Sequence, residues 1–239
     1  MITSSFRHET GVEGVPRLPL GEWIESGFDW LQDSAGGFFE ALSDAISLSV
    51  ESLTLLLQWP PALLLIALLA GLAAFASHWK LGLASALGLI LIVSFDQWNN
   101  AMQTLSLVLI ATLTALIIGI PLGIAAARWD RVSSITRPVM DLMQTMPAFV
   151  WLVPVVTPIS IGVPGGLVAT VIFALPPAVR LTELGIRQVD SEIVEAGHAF
   201  GGTPRQILRG IQLPLAMPTI MAGVNQVIML ALSMAVIAG

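Results

Sequence analysis

Long apolar runs recur along the chain at about 61–77, 81–96, 101–127, 138–158, 162–180 and 214–239, and short polar gaps separate them. A helix needs roughly 17–25 residues to cross the hydrocarbon core of a bilayer. The pattern therefore predicts about six membrane-spanning helices, the second short and the last open-ended. Trp59, Trp79, Trp98 and Trp129 stand at the predicted ends, where an indole keeps its N–H wet while its ring stays in the apolar layer. The third run contains Gly119, Pro121 and Gly123. The proline predicts a kink there, and the glycines predict close approach of a neighbouring helix.

Residues 20–59 have a different period. Trp23, Phe28, Trp30 and Leu31, then Phe38, Phe39, Leu42, Ile46, Leu53 and Leu57, recur at near-helical spacing among carboxylates. This predicts an amphipathic helix, interrupted near Gly36-Gly37 and broken by Pro60-Pro61 before the first span. Its polar face carries Asp and Glu instead of the Lys and Arg that anionic lipid attracts. It reads as a scaffold helix along the outer membrane interface or against its own bundle, with a docking surface for an extracellular partner as the alternative.

Charge gives the chain a topology. Residues 1–59 hold two basic residues, Arg7 and Arg17, against nine acidic ones, whereas the eight basic residues beyond (Lys80, Arg128, Arg131, Arg137, Arg180, Arg187, Arg205 and Arg209) lie in gaps or at their edges. If the basic gaps face the cytoplasm, two crossings separate each from the next, and the N-terminal segment lies outside. No run contains an internal Lys or Arg, and Asp141, the most deeply placed acid, is expected to pair with Arg137 one turn away. Composition agrees: 55% of residues are hydrophobic, 11% are charged and the mean hydropathy is +0.85. The expected fold class is an all-α polytopic membrane protein, with an extracytoplasmic segment at 1–59 and a transmembrane domain at 60–239. Cysteine is absent, which excludes disulfides and thiolate metal sites. Residues 1–20 are mixed and polar, without the basic and apolar sequence of a cleaved signal peptide.

The polar island at about 182–213 holds the candidate chemistry. Asp190 is placed to cap a helix through Glu195, Ala196 and Phe200, which Gly201-Gly202 stops. Thr203, Pro204 and Gln206 then form a capping-box start for a second short helix. Ala196 and Gly197 leave a small-residue patch beside Glu195 that suits insertion into a groove on another protein. Phe200, Ile207 and Leu208 are expected to supply apolar anchors. An amphipathic loop lying on the inner membrane face is the alternative.

The spacing Glu195-Ala196, Gly201, then Ile211-x-Leu213-Pro214 resembles the EAA coupling signature of ABC importer permeases, with Gly197 where that family usually has a second alanine. A longer stretch, from TMPAFVWLVPVV through VIFALPPAVRLTELGIRQV to IQLPLAMPTIMAGVNQVIMLALSMAVIA, is similar to the permease subunit of the glycine betaine/proline osmoprotectant importers. The resemblance implies a type I importer fold in a bacterial inner membrane and two copies of the permease. It also implies an ABC ATPase subunit inside, bearing the ATP and Mg, and a substrate-binding protein outside. It makes Glu195, Ala196, Gly197, Gly201, Thr203, Pro204, Ile211, Leu213 and Pro214 the ATPase-coupling residues. The family pattern continues past the position of Gly239 with a glycine-rich stretch and at least one further span.

Candidate pathway residues are Met143, Phe149, Trp151, Asn225, Gln226 and Ser233, for each of which interhelical packing or hydrogen bonding is the competing role. Choline, carnitine and trimethylamine N-oxide are alternative solutes. An intramembrane enzyme lacks support, since His8, His78 and His198 are scattered and no HExxH or GxSxG occurs. No GxxxxGK[ST] occurs either, so this chain is expected to bind no nucleotide and no cofactor, and nothing in it suggests nucleic acid. A non-transporting membrane scaffold that binds a partner through the same loop is the remaining alternative.

Overall fold

The computed structural model describes residues 20–147, 150–151, 159 and 162–238. Nine α-helices occur among them: α1 (Leu20–Gln58), α2 (Ala62–Ala76), α3 (Trp79–Ser94), α4 (Trp98–Arg128), α5 (Asp130–Thr145), α6 (Val163–Arg187), α7 (Ser191–Ala199), α8 (Pro204–Ile207) and α9 (Leu213–Ala238). A single π-helical turn, Leu208–Gln212, joins α8 to α9.

The core is a seam of small side chains where α6 packs between α4 and α9. Ala111 and Ala115 of α4, Ala174 and Ala178 of α6, and Ala231 of α9 are buried in one cluster. A Cβ on Gly119 would come within 2.5 Å of the Ala178 Cβ, and one on Gly123 within 2.6 Å of both Thr182 Cβ and the Val179 carbonyl. These glycines let the backbones meet, as the sequence predicts, because helices in lipid associate through close van der Waals contact. Pro121 lies inside α4. Gly185 and Gly223 do the same work on the other side of α6, against Ala216 and Thr219 and against Leu181.

Two elements depart from expectation. The amphipathic N-terminal helix is not interrupted: α1 runs for 39 residues through Gly36 and Gly37. No atom lies within 4 Å of a Cβ on either glycine. They cost about 1 kcal/mol each in propensity, which the proline-free helical sequence on both sides outweighs. Its C-terminal half docks on the bundle through Ile46 and Val50, which favours the bundle-packed reading. The Pro60-Pro61 break holds, and Ser34–Gln58 meets α2 at 95°.

The second departure concerns the fourth and fifth runs. Helix α5 begins at Asp130, inside the supposed charged gap, and ends at Thr145. It buries Ser133, Thr136, Met140 and Met143 as one stripe. Helix α6 continues to Arg187, seven residues beyond the predicted end of its run, because the charges there are paired (below). By length and hydropathy α4, α6 and Pro204–Ile237 qualify as membrane spans, and the bent pair of α1 and α2 adds a fourth. The 16-residue α3 is shorter than those spans. It packs mainly on α2, with Gly82 against Ala74 and the Ala70 carbonyl.

Candidate functional site

The polar island folds as a capped helical hairpin. Asp190 Oδ1 accepts from the Glu192 N–H at 2.9 Å, which starts α7. The Thr203 N–H donates to Gln206 Oε1 at 2.9 Å and the Gln206 N–H to Thr203 Oγ1 at 3.4 Å, completing the capping box. Between the two helices Gly201 adopts φ +80°, which an L side chain resists. The Gly202 N–H then donates back to the Gly197 carbonyl at 3.1 Å, a reversal that closes the end of α7.

Of the three expected anchors, the hairpin exposes one. Phe200 is 93% exposed, whereas Ile207 and Leu208 are 3% and 8% exposed and face inward. Leu208 belongs to a cluster with Ile186, Ala216 and Ile220, against which Leu213 packs. Leu208, in the π turn, seats the hairpin on α6 and α9, while Ile207 of α8 packs against Gly197 and Gly202 within it. Glu195, Ala196, Thr203, Pro204 and Pro214 are exposed, and Ile211 is half-buried. Gly197 faces Ile207 and Ile211; a Cβ there would lie 2.7 Å from Ile211 Cδ1. The small residue at 197 therefore closes the hairpin from within. The π turn follows directly, and such turns within helices occur frequently at functional sites.

A charged cluster absent from the sequence reading sits beside the hairpin. Glu183, on the buried face of α6 with a side chain 6% exposed, accepts from Ser133 Oγ at 2.7 Å and from Arg137 Nη2 at 2.9 Å. Arg187 Nε reaches the same oxygen at 3.0 Å. Arg187 Nη2 also donates to Asp130 Oδ1 at 2.8 Å and to the Ala126 carbonyl at 2.9 Å. The ends of α4, α5 and α6 are thus tied through Glu183 and Arg187. Asp141 pairs with Arg180 of α6, not with Arg137 as expected, because Arg137 is turned toward Glu183. The i,i+4 spacing of Glu183 and Arg187 was the available signal. Ending the run at residue 180 hid it.

The pathway candidates do not converge. Met143 lies with Met140 and Val179 in a buried cluster against which Trp151 packs, and the Trp151 indole N–H has no hydrogen-bond partner among the described residues. Asn225, Gln226 and Ser233 lie instead on the exposed face of α9, where Ser233 Oγ donates to the Met229 carbonyl at 2.9 Å. Phe149 lies outside the described residues. Among the described residues no cluster of His, Cys, Asp and Glu suits a metal ion.

Comparison with known proteins gives this arrangement a family. Residues 119–239 match the model for the binding-protein-dependent transport system inner membrane component. The chain is 44% identical to the glycine betaine transport system permease protein of Bacillus subtilis, over 95% of this chain and 80% of that protein. It is 48% identical to the glycine betaine/carnitine transport permease protein of Listeria monocytogenes, over 94% of this chain and 80% of the relative. It is 34% identical to the trimethylamine N-oxide transport system permease protein of Ruegeria pomeroyi, over 92% of this chain but 35% of that longer protein. A helical bundle of apolar spans with a capped polar hairpin agrees with the type I ABC importer transmembrane fold of such permeases. The chain belongs to the family of inner membrane components of binding-protein-dependent transport systems, a multi-pass permease subunit and not a catalytic enzyme.

Proposed function

We propose that this permease conducts a small quaternary-ammonium compatible solute, glycine betaine first among them, by alternating access driven by a separate ATPase. The observation that carries the coupling half of this reading is Phe200. A large aromatic side chain left 93% exposed on a doubly capped hairpin is held out for a partner, since burial of such a ring is worth about 2 kcal/mol or more. Helix α7, with Glu195, Ala196 and Phe200, is the surface that enters a groove of the ATPase. Gly201, Thr203 and Pro204 set the hairpin's turn, and Ile211, Leu213 and Pro214 join it to α9.

In this reading the arginine-rich end of the bundle faces the cytoplasm, and the C-terminal end of α1, beside the start of α4, lies toward the opposite side. ATP and Mg belong to the ATPase chain, a binding protein delivers solute from outside, and two copies of the permease enclose the pathway. The solute half rests on the relatives. Identities of 44% and 48% to permeases named for glycine betaine, against 34% to one named for trimethylamine N-oxide, favour the former.

The test is reconstitution of the permease with its ATPase and binding protein in liposomes, reading glycine betaine uptake and ATPase stimulation together. Phe200→Ala is expected to abolish stimulated hydrolysis and uptake while basal hydrolysis by the ATPase persists. Uptake at the wild-type rate in Phe200→Ala would refute the coupling assignment. Trimethylamine N-oxide uptake with none of glycine betaine would replace the solute.

A further inference from the structure

We propose a weak solute subsite between α1 and the start of α4, at the end of the bundle opposite the hairpin, which takes the cationic group of a small zwitterion on Glu51. A cavity of about 500 Å³ opens there, lined by Ser47, Glu51, Thr54 and Gln58 of α1 and by Asn99 and Gln103 of α4. A second cavity of about 410 Å³ adjoins it, sharing Gln103 and Val163 and adding Asn100 and Thr104. Both volumes are in the range that holds small ligands.

The lining has a definite chemistry. On α1 the polar residues recur at 47, 51, 54 and 58, one helical stripe, and Val50 on the same side is buried against the core. That burial aims the stripe at α4. Hydroxyls and carboxamides make up the rest of the polar lining, and Glu51 is the one ionised group in either cavity among the described residues. Among the described residues no Lys, Arg or aromatic residue lines them. A simple anion would meet a carboxylate with no counter-charge. A zwitterion would place its cationic group on Glu51 and its carboxylate on the amide N–H groups of Asn99 and Gln103. Without an aromatic cage, and with Glu51 exposed, the attraction is weak. Weakness suits a group that receives solute and passes it on, since a pathway site must release what it binds.

The solute named here rests on the proposed function, and the experiment separates the two. The permease–ATPase complex in lipid nanodiscs, without binding protein, is titrated with glycine betaine, and saturation transfer to its methyl protons is measured. The wild-type complex is expected to give a saturable signal. Glu51→Gln should weaken its half-saturation about two- to fivefold, the effect of one exposed charge pair. Glu40→Gln, an acid on the same helix outside the cavities, should leave it unchanged. The isosteric anion 3,3-dimethylbutanoate, which lacks the cationic centre, should give no signal that depends on Glu51. A missing wild-type signal, or one identical in Glu51→Gln, overturns the subsite. Uptake in the full reconstituted system tests the solute separately: a complex that couples ATP hydrolysis yet moves no betaine overturns the proposed substrate, while the methyl signal still decides the subsite.

Discussion

The δ-methyl of Ile211 occupies the space into which a side chain at Gly197 would grow, 2.7 Å from its Cβ position. The two residues lie on opposite arms of the hairpin, and the lack of a side chain at 197 makes room for Ile211 between them.

Gly197→Ala is therefore expected to split two effects. The methyl group improves helix propensity by about 1 kcal/mol, but it forces Ile211 to another rotamer and pries the arms apart. We expect reduced ATPase stimulation with the bundle intact. Adding Ile211→Val, which removes the δ-methyl, should restore it. A double-mutant cycle with a coupling energy near zero, where contacting residues ordinarily show about 0.5–3 kcal/mol, would remove the contact from the mechanism.

Gly201→Ala tests the turn. At φ +80° a Cβ costs roughly 1–2 kcal/mol, although no atom obstructs it. The hairpin should become more sensitive to limited proteolysis, while the thermal unfolding of the detergent-solubilised bundle stays within a degree or two.

Glu183→Gln should loosen the α5–α6 junction. The carboxylate receives Ser133, Arg137 and Arg187, and hydrogen bonds to a charged group contribute about 1.5–3 kcal/mol. Because Arg137 is largely exposed, its guanidinium recovers water on losing its partner, so the expected cost is about 1–3 kcal/mol. Ser133→Ala should cost less, since the two arginines remain. Melting temperatures of the purified variants give the order, and equal values would show that the cluster does not hold these helices.

Gly123→Ala should be far more harmful than Gly88→Ala. At 123 the new methyl would meet the Val179 carbonyl, which cannot rotate away, whereas at 88 it meets nothing within 4 Å. Overpacking of this kind costs about 1–3 kcal/mol or more. Yield of monodisperse protein from membranes, normalised to wild type, distinguishes them.

The sequence by itself determined what local chemistry controls. The apolar runs marked α2, α3, α4 and α9, Pro60-Pro61 broke the chain before α2, and Asp190, Gly201 and the Thr203 box set the hairpin's helices and turn. Each of these depends on neighbours within one or two turns, so it is written in consecutive residues. Tertiary structure decided what depends on partners on other helices. Glu183 can remain buried and Arg187 helical beside it because Ser133, Arg137, Asp130 and the Ala126 carbonyl meet them, so α6 extends past the point where hydropathy ends it. Asp141 takes Arg180 for the same reason. Leu208 turns inward because α6 and α9 offer it an apolar seat, Ile207 because Gly197 and Gly202 leave it room inside the hairpin, and Phe200, with no such seat among the described residues, is left exposed.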